Sequence, residues 1–213
     1  MADHAPQELL IARLARDLRP VARLAPPWQR AAAWLVAALW LGMLLSLFAD
    51  FPALGTRLGA APDMWLSLLG AALTAILAGW AALQTSVPGR SSLWALLPLP
   101  AFLLWVGAST AGCLRLTPIL GTVPEAPMHP MVCLEFLLLV ALPLLLLLTW
   151  QLRRAFPLRP GLTACLAGLA SAGAAATLLA LIHPFDATAD DLAMHLAGVV
   201  VVIALSRFTT RKS

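Results

Sequence analysis

The stretch Val132–Trp150 reads VCLEFLLLVALPLLLLLTW, and its reading decides the fold. After Glu135 it offers nothing but hydrocarbon, one proline and one threonine until the closing tryptophan. A helix rising about 1.5 Å per residue needs about 20 apolar residues to cross roughly 30 Å of hydrocarbon, and this run is of that length. Working outward, comparable runs lie at Ala31–Ala49, Met64–Leu83, Leu93–Ala111, Leu162–Ile182 and Leu192–Phe208, the last slightly short. With 61% hydrophobic and only 11% charged residues among 213, the chain carries more apolar surface than a soluble core could hide. Lipid offers backbone groups no partners, so spanning runs must be helices. The expected fold is all-α: a polytopic membrane protein of six transmembrane helices, residues 31–213, preceded by a cytoplasmic tail, residues 1–30.

Arginine and lysine set the orientation, because positive loops stay on the cytoplasmic side. Arg13, Arg16, Arg19, Arg23 and Arg30 precede the first run; Arg90, Arg153, Arg154, Arg159, Arg207, Arg211 and Lys212 lie at alternate loops and the C-terminal tail. The other loops hold only Arg57 and Arg115, with Asp50, Asp63, Glu125, Asp186, Asp190 and Asp191 in them or at their edges. Both termini are therefore expected in the cytoplasm. Trp28, Trp34, Trp80, Trp94 and Trp150 fall near the inner interface and Trp65 near the outer one, as aromatic belts require. Trp40 and Trp105 sit deeper and are expected to be packing residues. The first apolar run starts too late, and is too long, for a cleavable signal peptide. The pI near 9.8 then reflects topology rather than nucleic-acid binding.

In this orientation the Val132 helix enters from outside, and ligand-like residues gather at its mouth. Cys113 ends the third run, His129 and Cys133 flank the start of the fourth, and His183, Asp186, Asp190, Asp191, Met194 and His195 surround the last loop. Thiolate, imidazole and thioether groups suit soft or borderline metal ions, and an outward cysteine can sense redox change. The competing reading makes the cysteines small buried hydrophobes and the histidines and acids interfacial residues. There is no CxxC, HxxxH or HExxH spacing to decide between them. Glu135, two residues past Cys133, falls on nearly the opposite helix face, about a turn from water. Cys165 lies toward the other side of the membrane.

Elsewhere the fifth run carries Ala164, Gly168, Ala172 and Ala176 at four-residue spacing, with Ser171, Gly173 and Ala175, a pattern for close helix packing. Pro98, Pro100 and Pro143 predict kinks in the third and fourth helices. In the tail, Leu10, Ile11, Leu14 and Leu18 share a helical stripe while Arg13, Arg16 and Asp17 fall largely elsewhere, giving an amphipathic helix that stops near Pro20. Such a helix lies on anionic lipid or enters a groove on a soluble partner. The segment RLAPPWQR, residues 23–30, is expected to be a stiff extended spacer.

Asp17–Leu35, DLRPVARLAPPWQRAAAWL, resembles the DL-x-PV-x-x-L-x-PP-x-x-R-x-x-x-WL opening of the NrsF family of polytopic anti-sigma factors. The likeness continues through six spans, an inward tail, a cysteine at the outer mouth of span four and a short loop between spans five and six. It implies a membrane-embedded anti-sigma factor that holds an extracytoplasmic-function sigma factor at the bacterial inner membrane and releases it on a periplasmic signal, metal or redox, as in stress responses. By the same resemblance Asp17, Leu18, Pro20, Val21, Leu24, Pro26, Pro27 and Arg30, with Leu14 on the tail helix, are the candidate partner-binding residues. Family members that respond to metal or redox use one cysteine at the start of span four and a second in the loop after span five. Cys133 matches the first, while His183 stands at the second, so no disulfide joins those positions. A Cys133–His183 metal pair, or a Cys113–Cys133 pair should spans three and four adjoin, are the remaining sensor arrangements, with His129 and His195 as further candidate ligands.

No cofactor is expected beyond a regulatory metal ion, and no direct contact with nucleic acid. The alternative function is transport of a small solute or metal ion, or membrane binding of one. A transporter would place a coordinating group near the midplane, whereas the mid-span polar residues are Ser46, Thr74 and Thr177 and their like. An enzyme would need a nucleophile with its base or paired carboxylates, and none of the corresponding motifs occurs.

Overall fold

The computed structural model describes residues 5–16, 24–60, 62–116, 130–182 and 197–205. Among them there is no strand, and the order is α1 (Ala5–Arg16), α2 (Pro27–Ser46), α3 (Phe51–Ala60), α4 (Pro62–Thr85), a 3-10 turn (Ser92–Leu96), α5 (Leu99–Leu116), α6 (Pro130–Arg153) and α7 (Pro160–Ile182). Residues 197–205 are also helical. The all-α expectation holds, and five segments are long and apolar enough to cross a membrane: Pro27–Ser46, Pro62–Thr85, Ser92–Gly112, Leu134–Arg153 and Pro160–Ile182. The sixth expected span, 192–208, is described only over residues 197–205.

Helix α2 begins earlier than expected. Pro26 is extended at φ −59° and ψ 150°, and Pro27 opens the helix, a position where the missing N–H costs nothing and the fixed φ suits the first turn. Trp28, Gln29 and Arg30 are thus helical rather than part of a spacer. At the other end α2 stops at Ser46, short of Ala49, and Asp50 starts a new helix. Its carboxylate accepts from the Ala53 amide at 3.1 Å, an N-cap for α3. The Pro and two Gly of α3 hid this helix from the sequence reading, which treated the segment as loop.

At the centre α4 packs most extensively against α7, with α5 on another side of α4; α6 lies against α7, and α2 touches α4, α6 and α7. Both helices bring small residues to the core: Ala78, Ala81 and Ala82 of α4 and Ala164, Ala167, Ala170, Ala172 and Ala175 of α7 are all inaccessible. A β-carbon at Gly173 would stand 3.1 Å from both the Ala71 carbonyl oxygen and the Ala75 nitrogen, so a side chain there would push on the backbone of α4. Between lipid-immersed helices such close packing, rather than expulsion of water, is the main source of association.

The third span is broken rather than kinked. Ser91 accepts from the Leu93 amide at 3.2 Å to cap the 3-10 turn, and Pro98 and Pro100 fall at the start of α5 instead of inside a continuous helix. Pro143 does lie within α6. Trp105 packs against the core and meets Phe102 edge-on at 6.3 Å between centroids. Trp40 does not pack: it is 59% exposed, because α2 lies at the rim of the bundle and turns that face outward.

Candidate functional site

The described tail residues divide sharply where α2 enters the bundle. Helix α1 follows its amphipathic pattern, ending at Arg16, and its Leu9, Leu10, Ile11 and Leu14 are all more than half exposed. Leu24 and Pro26 are exposed and Pro27 half-buried. Arg30, by contrast, is only 6% exposed. Asp17, Leu18, Pro20 and Val21 lie outside the described residues.

Arg30 is held by α6. One terminal nitrogen, Nη2, donates to the main-chain carbonyl of Gln151, and the other, Nη1, is buried without a hydrogen-bond partner. Gln151 belongs to the last turn of α6, where the final carbonyls have no acceptor role within the helix and a cation is favoured by the helix dipole. One turn along α2, the Trp34 indole N–H donates to the Leu144 carbonyl at 3.0 Å, and Trp34 is 2% exposed. These two bonds stitch the root of the tail to the second half of α6. Around them the side-chain oxygens of Gln84 and Gln151 are also buried and unpartnered, making a polar layer at one end of an apolar bundle. Thr149 and Thr163 belong to the same layer but donate to carbonyls of their own helices.

The sequence placed Arg30 with the exposed tail and gave no weight to the glutamines. The available signal was the position of Gln84 and Gln151, the last side-chain amides before two spans end in a chain that has very few. Trp34 stands where an interfacial belt residue is expected, and nothing local in the sequence identifies its acceptor.

At the opposite end of α6, Cys133 lies in the first helical turn, which begins at Pro130. Cys113 lies in the last turn of α5. The packing of α5 on α4, and of α6 on α7 and α2, leaves no extensive α5–α6 contact among the described residues, so the adjacency a Cys113–Cys133 pair requires is not seen in them. His129, His183 and His195 lie outside the described residues. Glu135 is exposed. Cys165 is half-buried in the second turn of α7. No group of three His, Cys, Asp or Glu residues that could hold a metal ion occurs among the described residues.

The end of α5 lies against the start of α4. Ser67 and Ser109 share a hydroxyl–hydroxyl hydrogen bond of 2.8 Å, and a β-carbon at Gly112 would stand 2.5 Å from the Asp63 carboxylate. The start of α4 and the end of α5 are therefore joined by one hydroxyl–hydroxyl hydrogen bond and approach closely at Gly112. One helix, α6, thus carries Cys133 at one end and grips the tail root at the other.

Residues 14–212 match the family described as NrsF, negative regulator of sigma F. No curated protein matches the chain, and no solved structure does.

Proposed function

The chain belongs to the NrsF family, negative regulators of sigma F, and we propose from this that it holds a sigma factor of the extracytoplasmic-function type at the inner membrane through its cytoplasmic tail, releasing it on an outer signal. Regulation of a sigma factor is what membership of the family carries. The tail as the binding element, the membrane as the place of sequestration and the outward sensor are our reading.

The observation that carries it is the pair of α2–α6 hydrogen bonds, Arg30 to Gln151 and Trp34 to Leu144. They give the helix that bears Cys133 a direct hold on the helix that bears the tail. The exposed leucines of α1 supply an apolar stripe for a groove on the sigma factor, and Leu14, Asp17, Leu18, Pro20, Val21, Leu24, Pro26 and Pro27 its contacts. Arg30, being buried, acts on the partner through the position of α2 and not by touch. Outside, Cys133 with His183 is the sensor arrangement we favour, binding a metal ion or responding to an oxidant; His129, His195 and Cys113 are its accessory candidates. A signal shifts the bundle only if it binds one packing better than the other, and movement of α6 then alters the seat of Arg30.

Transport finds no support among the described residues, where the mid-span hydroxyls of Thr74 and Thr177 donate to the carbonyls of Gly70 and Gly173 on their own helices.

The test is co-purification in mild detergent of the host's sigma factors with the full chain and with a form lacking residues 1–23, which keeps Pro26 and Pro27 to start α2. Retention by the full chain and loss on truncation supports the reading. Retention by neither form, with ion flux in reconstituted vesicles, would overturn it in favour of transport.

A further inference from the structure

Between the end of α6 at Arg153 and the start of α7 at Pro160 the chain turns through RAFPLR, residues 154–159. The turn is tight and ordered. Ala155 donates to the Leu152 carbonyl at 3.0 Å and Phe156 to the Arg153 carbonyl at 3.2 Å, while Ala155 tucks into the bundle. Phe156 has φ +48°, making it the one non-glycine residue with positive φ among the described residues. That conformation is disfavoured for any residue with a β-carbon and again for a residue preceding proline.

What the strained turn achieves is display. Phe156 is 83% and Leu158 76% exposed, two large apolar side chains two positions apart with none of the described residues covering them. Arg153, Arg154 and Arg159 are exposed around them, and the Arg154 guanidinium lies 3.8 Å from the centre of the half-exposed Trp150 ring. There is no acidic residue between Glu135 and Asp186 to neutralise the three arginines. The surface calls for a partner that is anionic and apolar at once.

The partner's location narrows the choice. Six residues rise at most about 10 Å above the helix ends they join, and the interfacial layer of a bilayer is about 5–7 Å thick on each side. The turn therefore stays within or just above the headgroups, the depth at which Trp150 also belongs. We propose that residues 153–159 are a binding surface for anionic phospholipid, the arginines taking the phosphodiester and Phe156 and Leu158 entering the acyl boundary. By fixing the end of α6, bound lipid also fixes the Gln151 carbonyl on which Arg30 rests. This inference rests on membrane insertion but not on sigma-factor binding.

The test uses the full chain in mild detergent with equal phosphatidylglycerol and phosphatidylcholine, retained lipid being read by native mass spectrometry. The wild type is expected to hold phosphatidylglycerol several-fold over phosphatidylcholine, and R153Q/R154Q/R159Q to lose that preference. Arg90→Gln, on another loop of the same side, should keep it, which separates a local surface from general positive charge. Phe156→Gly relieves the backbone and so should melt no lower than wild type, yet retain less lipid. No preference in the wild type, or full preference in the triple variant, overturns the proposal. So does a triple variant that keeps its lipid but loses a co-purifying sigma factor, since the surface would then serve a protein. Loop-dependent lipid retention without capture of a sigma factor by any form leaves this inference standing and the proposed function fallen.

Discussion

The Arg30 guanidinium donates to the main-chain carbonyl of Gln151, 121 positions away in the chain, at the point where the tail becomes a membrane helix. A buried cation in this setting is costly unless paired or hydrogen-bonded. A hydrogen bond to a charged group is worth about 1.5–3 kcal/mol, and here it holds the root of the tail.

Arg30→Ala should destabilise the protein by about 2 kcal/mol through loss of that bond and of side-chain packing. Thermal melting in detergent reads the effect. Co-purification of the sigma factor should fall with it although tail residues 1–29 are unchanged; a variant that melts lower but holds its partner as well as wild type would separate the root from binding.

Trp34→Phe keeps most of the ring and removes the donor to Leu144, for an expected loss of about 1 kcal/mol. Trp40→Phe, on the exposed face of α2, should stay within about 0.5 kcal/mol of wild type. Equal losses at the two sites would contradict the packing described.

Gly173→Ala places a methyl group against the backbone of α4 and should cost about 1–3 kcal/mol, as overpacking does. Gly173→Leu should prevent the seam from closing, seen as loss of the cooperative melt. Gly161→Ala, where a β-carbon meets nothing within 4 Å, is the matched control.

Cys133→Ser should leave sigma-factor binding by the resting protein intact and abolish its release by a thiophilic metal ion such as Cd²⁺. A sigma-dependent reporter in cells measures both. His183→Ala distinguishes the signals: it should weaken the metal response while sparing a response to oxidant that needs only the thiol. Release undiminished in Cys133→Ser would remove Cys133 from the sensor.

The long apolar runs were legible because the bilayer imposes a length and forbids charge within it, so spans such as Pro62–Thr85 and Pro160–Ile182 fall within two residues of expectation at each end. The alanine and glycine pattern of α7 was equally readable, since small residues at four-residue spacing have few other uses. What stayed hidden depends on partners distant in sequence. Arg30 reads as one more positive-inside arginine until Gln151 is beside it, and Trp40 reads as core until α2 is seen at the rim. Capping by Asp50 was masked by the helix-breaking composition of α3. The candidate sensor was legible only as a gathering of residue types, with Cys133 placed by its helix.

Of the long spans, α2 has Arg30 and Trp34 as its buried residues, whereas half of the apolar window in α4 and more of that in α7 is enclosed. Lipid therefore surrounds most of α2, and the inclination of such a helix is set by bilayer thickness as much as by protein neighbours. At 20 residues it is about 30 Å long, a close match to the hydrocarbon layer. A helix so placed, held to protein at two residues near its start, takes its tilt from the bilayer, and the tail leaves the surface at the angle that tilt sets.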